Sequence, residues 1–360
     1  MTGHPAAWPS QALRVPTTDV PRPRYPVISM HEHLGPVFGG DWRNRPVEEL
    51  LAAMDDVGMV TMIDLDGGQG DTLSRQVERY QAPHPDRVVV FAGLDYEAWA
   101  TEPAFGELEA ERLRDSAARG ARGLKVWKLL GLRARDPMGR LVTVDDDRLD
   151  PLWRATGELG LPVLIHIADP IAFFGPLDDT NERAEELALH PDWHFWPPVT
   201  APEGAGHPGF DELLDGFDRL LSRHPRVTFI GAHVGCASED LGLVSGMLAR
   251  HPNLYVDIAA RLGELGRQPN TARRFFLDWS DRIVFGTDTA VDVPSCRLYY
   301  RFLETLDDSF DYSPEPVPPQ GRWRISGLGL PDDVLRRVYI ENAQRILAPG
   351  GGASLEGAAA

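Results

Sequence analysis

Short apolar runs alternate along the chain with stretches whose apolar positions recur every three to four residues. The runs are 27–30, 59–65, 87–94, 123–128, 162–167, 227–232, 253–258 and 282–286, each short enough to be a buried strand. Helical patterns lie between them. One covers 47–56, opened by Pro46 and followed by Gly58. Others are predicted over 72–81, 105–119 with Gly120 behind it, 149–159 with Gly160 behind it, 210–223, 239–250, 271–279 and, after Pro331, 332–347. Strands that alternate with helices predict a parallel sheet. Eight such units over this length predict an α/β fold closed as a distorted (β/α)8 TIM barrel. The rival is an open, doubly wound sheet, which usually carries a phosphate-binding first loop. Gly67-Gly68-Gln69-Gly70 follows a strand but matches neither G-x-G-x-x-G nor a P-loop, and reads as a turn.

The pattern gives way at three places. Residues 1–24 are Pro-rich and predict an extended arm; 349–360 is a low-complexity tail. The barrel is then expected over 25–348, with a lid-like insertion at 169–209 holding Phe173, Phe174, Trp193, Phe195 and Trp196. Such aromatics suit an apolar cover over a substrate, and equally a dimer contact or a small satellite core.

Composition narrows the classes. Of 360 residues, 36 are Lys or Arg and 54 are Asp or Glu, a net charge of −18 that argues against nucleic acid or an anionic membrane as partner. No run of about 18 apolar residues exists to span a bilayer. The N-terminus has neither the basic nor the apolar region of a secretory signal. Two cysteines, Cys236 and Cys296, allow one bridge at most. A reduced pair in a cytoplasmic protein is the default expectation, with a small molecule as substrate and a homodimer as the commonest assembly.

Candidate chemistry gathers at strand ends, where barrel active sites lie. The first strand runs into VISMHEHLG. Residues two apart on a strand share a face, so His31 and His33 point together with Glu32 opposite, a half-site for a transition metal. Lys125 and Lys128 stand on the fourth strand, His166 near the end of the fifth, His233 at the end of the sixth and Asp288 at the end of the eighth. Each has an ordinary alternative: a core histidine, a helix cap, a snorkelling lysine. Their joint placement at one barrel mouth is what favours a metal site. His84, His190, His207, His224 and His251 each precede a proline and read as structural or solvated. Trp127 shares a face with Lys125, lining either the pocket or the core. Arg261, beyond strand seven, either clamps a substrate carboxylate or pairs with an acid such as Glu264. Asp169 either orients a ligand histidine or caps its loop. Cys236 lies near His233, but a Cys–His nucleophile pair would leave the other candidates without a role.

The ordered set His31-x-His33, His166, His233 and Asp288, with the closing pattern YIENAQRIL, resembles the amidohydrolase superfamily. Within it, the chain is similar to the amidohydrolase-related (amidohydrolase 2) subgroup, which includes hydrolases and enzymes like aminocarboxymuconate semialdehyde decarboxylase. The resemblance spans about 27–347. It implies that His31, His33, His166 and Asp288 hold one divalent metal, Zn2+ before Mn2+, with His233 and Asp288 catalytic. In two-metal relatives a carboxylated lysine, here matched by Lys125, bridges the pair; otherwise Lys125 binds a substrate carboxylate. The reaction implied is metal-assisted hydrolysis of a small amide, lactone or related carbonyl, with nonoxidative decarboxylation of a small aromatic or unsaturated acid as the alternative.

Overall fold

The computed structural model of the chain describes residues 11–35, 41–197, 207–313, 315 and 317–348. The expectations for 1–10, for the tail at 349–360 and for 198–206 of the insertion lie outside these residues. Eight parallel strands form the frame: β1 Val27–Glu32, β2 Met59–Asp64, β3 Val88–Val90, β4 Leu124–Val126, β5 Val163–Ile165, β6 Phe229–Gly231, β7 Leu254–Asp257 and β8 Ile283–Val284. They pair as two sheets, β1-β2-β3 and β4-β5-β6-β7-β8. Parallel bridges join the sheets beyond the strand ends, Ala92 to Leu124 and Glu32 to Thr289. Main-chain bonds from Met30 N to Phe285 O and from His33 N to Thr289 O complete the seam between β8 and β1. The sheet is thereby a closed, distorted barrel.

Two apolar layers follow from the period-two alternation of the strands. One set of strand side chains, including Met30, Ile63, Phe91, Leu164, Ile230 and Val284, fills the barrel. Ala343 and Ile346 of the last helix, Asn342–Leu347, pack against that filling. The opposite set packs against the surrounding helices. Helix Phe210–Arg223 shows why: Leu213, Leu214, Phe217, Leu220 and Leu221 fall on one stripe and are buried. His224 and His251 terminate helices and bond Asp150 and Asp218, the structural role expected of them.

Strand β1 extends two residues past its apolar run, while the other strands are shorter than theirs, because those runs continue beyond the ladder bonds. The insertion after β5 carries helix Ala184–Leu189. Neither that helix nor two others were foreseen. Leu262–Arg267 follows β7, and Val293–Glu304 follows β8 with Asp292 accepting from Ser295 N as its cap. The long patterns at 72–81 and 332–347 each contain a π-helical turn, Val77–Gln81 and Arg337–Glu341.

Candidate metal centre

Every strand end but β3 brings a polar group to the mouth. A register shift between Ser29 and Glu32 lies in β1 beside the site. Ser29 and Glu32 share the outward side, where Ser29 Oγ donates to the Glu32 carboxylate at 2.5 Å and Thr287 Oγ1 approaches it at 2.8 Å. Burial pushes Glu32 up to about 7 against those bonds. His31 and His33 face the mouth, as their spacing predicts. β8 reaches β1 closely enough that a Cβ on Gly286 would lie 2.7 Å from His31 Cβ.

Two carboxylates and a carbonyl orient the rings. His31 Nδ1 bonds Asp257 Oδ2 at 2.8 Å, His33 Nδ1 bonds Asp66 Oδ1 at 2.8 Å, and His233 Nδ1 bonds the Ala259 carbonyl at 2.8 Å. In a neutral ring, an Nδ1–H donated to an acceptor leaves Nε2 as the lone pair. Those Nε2 atoms turn toward Asp288. Its Oδ1 lies 3.2 Å from His31 Nε2 and 3.1 Å from His33 Nε2, and its Oδ2 lies 3.9 Å from His233 Nε2. One donor atom each from His31, His233 and Asp288 falls within 4.8 Å of the others.

The remaining expected residues surround this cluster. The His166 ring stands edge-on to His233 with centroids 4.4 Å apart, while its Nε2 faces the Ala168 carbonyl at 3.0 Å. Lys125 is buried beneath the cluster, its Nζ 3.1 Å from His31 Nε2. The Trp127 ring lies 5.2 Å from that of His33 and 5.0 Å from Lys125 Nζ. Arg261 is buried and donates to the Ala260 carbonyl at 2.9 Å. Glu264, its expected partner, bonds Arg183 instead. Asp169 accepts from Lys128 at 2.6 Å and lies 3.6 Å from His166 Nε2.

Charges at the site are strongly displaced. Burial, helped by His166 and Arg261, holds His233 neutral, far below the usual imidazole range. Burial also lowers His166 to about 4 and Lys125 to about 8. It opposes charge on His33 too, but Asp288 and Asp66 outweigh it and raise that ring to about 9. Asp288 is ionised: burial would raise it, and the His31 and His33 rings hold it well below the carboxylate range. Burial raises the Cys236 thiol to about 11, an unsuitable nucleophile.

These features suit a divalent cation. Imidazole lone pairs and a carboxylate converge, and each ring is fixed through its other nitrogen, the usual outer support of a metal-ligating histidine. A cation would displace the protons the rings share with Asp288. Sequence reasoning missed Asp257, Asp66 and the Ala259 carbonyl. Asp257 and Asp66 each stand at or just past a strand end, and that position was the available signal.

Fold and site together define a barrel with a candidate metal site at its mouth. Residues 41–348 match the amidohydrolase (amidohydrolase 2) family model, and the chain belongs to that family. His31 and His33 lie upstream of the matched span, so their place rests on geometry. No curated protein matches the sequence. Among solved structures, the chain is similar to a 2,6-dihydroxybenzoate decarboxylase complexed with 2,6-dihydroxybenzoate (17% identity, 90% of this chain, 99% of that one, TM-score 0.53). It is also similar to an uncharacterised TIM-barrel protein from Bordetella bronchiseptica (15% identity, 90% and 99% covered, TM-score 0.51). A third likeness is to an amidohydrolase II (15% identity, 89% and 99% covered, TM-score 0.51). These three likenesses bear on the fold.

Proposed function

We propose that this amidohydrolase-family protein is a metal-dependent hydrolase of a small molecule, using one Zn2+ or a similar ion. The observation that carries this is the cluster of His31, His233 and Asp288, with one donor atom each within 4.8 Å and the histidines fixed through Nδ1. His31, His233 and Asp288 would hold the ion, with His33 and His166 adjoining as further donors. When bound, such an ion polarises a carbonyl and lowers the pKa of a water from 15.7 to about 7.

The chain's own groups supply the rest. Asp288 is ionised and partly open to the mouth, so it can take a proton from water and return it to a leaving group. A neutral His233 with Nδ1–H on Ala259 presents a lone pair and has no proton for an oxyanion; it suits a ligand or proton acceptor. Lys125 and Arg261 place two cationic side chains around the site for a substrate carboxylate, and Trp127 offers a flat wall.

A second reading, nonoxidative decarboxylation, is favoured by the cavity beside Asp288. It has about 180 Å3 and walls that include Leu262, Leu298, Tyr299 and Tyr312, dimensions and chemistry that fit a small ring. The structurally similar 2,6-dihydroxybenzoate decarboxylase adds weight to it. The test is elemental analysis of wild type, His31→Ala and Lys125→Ala, followed by assays with 2,6-dihydroxybenzoate and a panel of lactones and amides. One ion, lost in His31→Ala and kept in Lys125→Ala, with proton release from a lactone or amine release from an amide, supports hydrolysis. CO2 release without water uptake selects the second reading. A second ion lost in Lys125→Ala makes that lysine a bridge. No ion after supplying Zn2+ or Mn2+ overturns both readings.

A further inference from the structure

The cavity wall against Asp288 is not built by the insertion that the sequence marks as a lid. It comes from the β7 loop (Ala260, Leu262), helix Val293–Glu304 (Tyr299) and the stretches 307–313 and 317–330 that follow it (Tyr312, Gln320). The insertion stands behind that wall, and one of its side chains joins it to the helix after β7 and to the stretch that holds Trp323. Arg183 is buried with 1% of its side chain exposed. Its Nη1 donates to Glu186 at 2.6 Å, and its Nη2 donates to Glu264, equally buried on helix Leu262–Arg267. Its guanidinium also lies 5.3 Å from the Trp323 ring, with Arg267 over the same ring at 3.9 Å.

Trp323 carries the connection forward. It stacks on Tyr312 at 6.0 Å, and Tyr312 Oη accepts from the Gln320 and Gly321 amides at 3.0 Å. Gln320 Nε2 in turn donates to the Ala260 carbonyl at 3.2 Å. The segment can seat this closely because helix Leu262–Arg267 presents glycines one turn apart. A Cβ on Gly266 would lie 2.3 Å from Ile325 Cβ, and one on Gly263 would lie 2.8 Å from Trp323 Nε1. Burying such an ion pair gains little stability, since desolvation offsets the attraction; what it supplies is a fixed geometry.

We infer that Arg183 is a positioning residue. By bridging Glu186 and Glu264 it fixes the β7 loop and the stretches 307–313 and 317–330 as a preformed wall of the cavity, and the insertion acts as a buttress. Loop 258–260 also carries the carbonyl that orients His233, so the same bridge reaches the donor cluster through the backbone. The inference deepens the proposed function, resting on the reading of this cavity as the substrate site.

The test uses full-length, Zn2+-loaded protein with Arg183→Lys, Glu264→Gln and Gly266→Ala. Glu158→Gln, which removes an exposed partner of Arg114 away from this wall, is the control. Lysine keeps the charge but cannot bridge two carboxylates as a guanidinium does. Amide hydrogen exchange, zinc content and calorimetric affinity for 2,6-dihydroxybenzoate are measured. Arg183→Lys, Glu264→Gln and Gly266→Ala are expected to raise exchange at 258–267 and 317–328 at least tenfold. They should leave strand protection and zinc content unchanged and weaken the probe about tenfold; the control changes nothing. Wild-type exchange at both segments in Arg183→Lys and Glu264→Gln overturns the inference. So does loss of protection throughout the barrel, which makes the bridge a general stability element. If wild type fails to bind the probe, the ligand class is wrong, while exchange still decides the role of Arg183.

Discussion

His233, Val234, Gly235 and Cys236 all have positive φ, between 58° and 65°. A left-handed residue other than glycine costs roughly 1–2 kcal/mol, and a β-branched valine there is rare. Such a turn persists only when its surroundings over-determine it. Here Asp257 does much of that: its carboxylate accepts from the His233 amide at 2.8 Å, from the Ala259 amide at 3.0 Å and from His31 Nδ1 at 2.8 Å. Asp257→Asn is isosteric but sets an NH2 group against His31 Nδ1. The ring's proton then moves to Nε2, where the lone pair is needed. A loss of 10–100-fold in Zn2+ affinity is expected, by the scale of such supporting contacts. Competition with a chromophoric chelator measures it, and unchanged affinity would refute the assigned tautomer. At this scale the sequence was legible where residue type and strand-end position agreed, as for His31, His33 and Asp288. It was silent on the left-handed turn, because nothing in Ala-His-Val-Gly-Cys favours positive φ except one glycine.

Among the elements, the apolar runs located all eight strands, and helix Phe210–Arg223 was bounded correctly because its stripe is unbroken. Helix Val293–Glu304 was missed although Asp292, Pro294 and the spacing of Cys296, Tyr299, Tyr300 and Leu303 mark it. Its buried stripe is aromatic, which periodicity in aliphatic residues passes over. The loop between β4 and helix Asp150–Leu159 has no apolar period at all and is organised by charge. Asp136 accepts from Arg148 Nη1 at 2.7 Å, Arg140 Nε at 2.8 Å and the Met138 and Arg140 amides at 2.9 Å. Burial would raise this carboxyl, but those donors hold it well below the usual range. A depressed acid stabilises the fold fully above its unfolded pKa near 3.9, and that contribution is lost as pH falls through the folded value. Asp136→Asn should therefore cost about 1.5–3 kcal/mol at pH 7, with the gap to wild type shrinking below about pH 4. Urea denaturation at pH 7 and pH 3.5 checks this; an equal gap at both values would count against it.

For the molecule as a whole, the site joins the first strand to the last, so occupancy of the site and integrity of the barrel are linked. A ligand that binds only the folded chain adds about 2.7 kcal/mol at a hundredfold excess over its Kd. Zn2+ should accordingly raise the melting temperature of chelator-treated protein by a few degrees, and His31→Ala should abolish that response. Calorimetry with and without added ion decides the matter; an equal shift in the variant would place binding elsewhere. The barrel itself was legible from the count of alternating units. What no local pattern conveyed was the use of residues remote in sequence, Ala260, Tyr299, Tyr312 and Gln320, to make one wall, with 183–186 behind it.

The seam between β1 and β8 also bears on how the protein is made. Thr287, which bonds Glu32 behind the paired histidines, lies 255 positions further along the chain. At a ribosomal pace of 5–20 residues per second, the edge of β1 waits roughly 13–50 s for its neighbour. Throughout that interval an apolar, histidine-bearing strand is open to any other unpaired strand nearby. Factors that shield nascent chains should therefore govern its yield in a cell more than the stability of the finished barrel does.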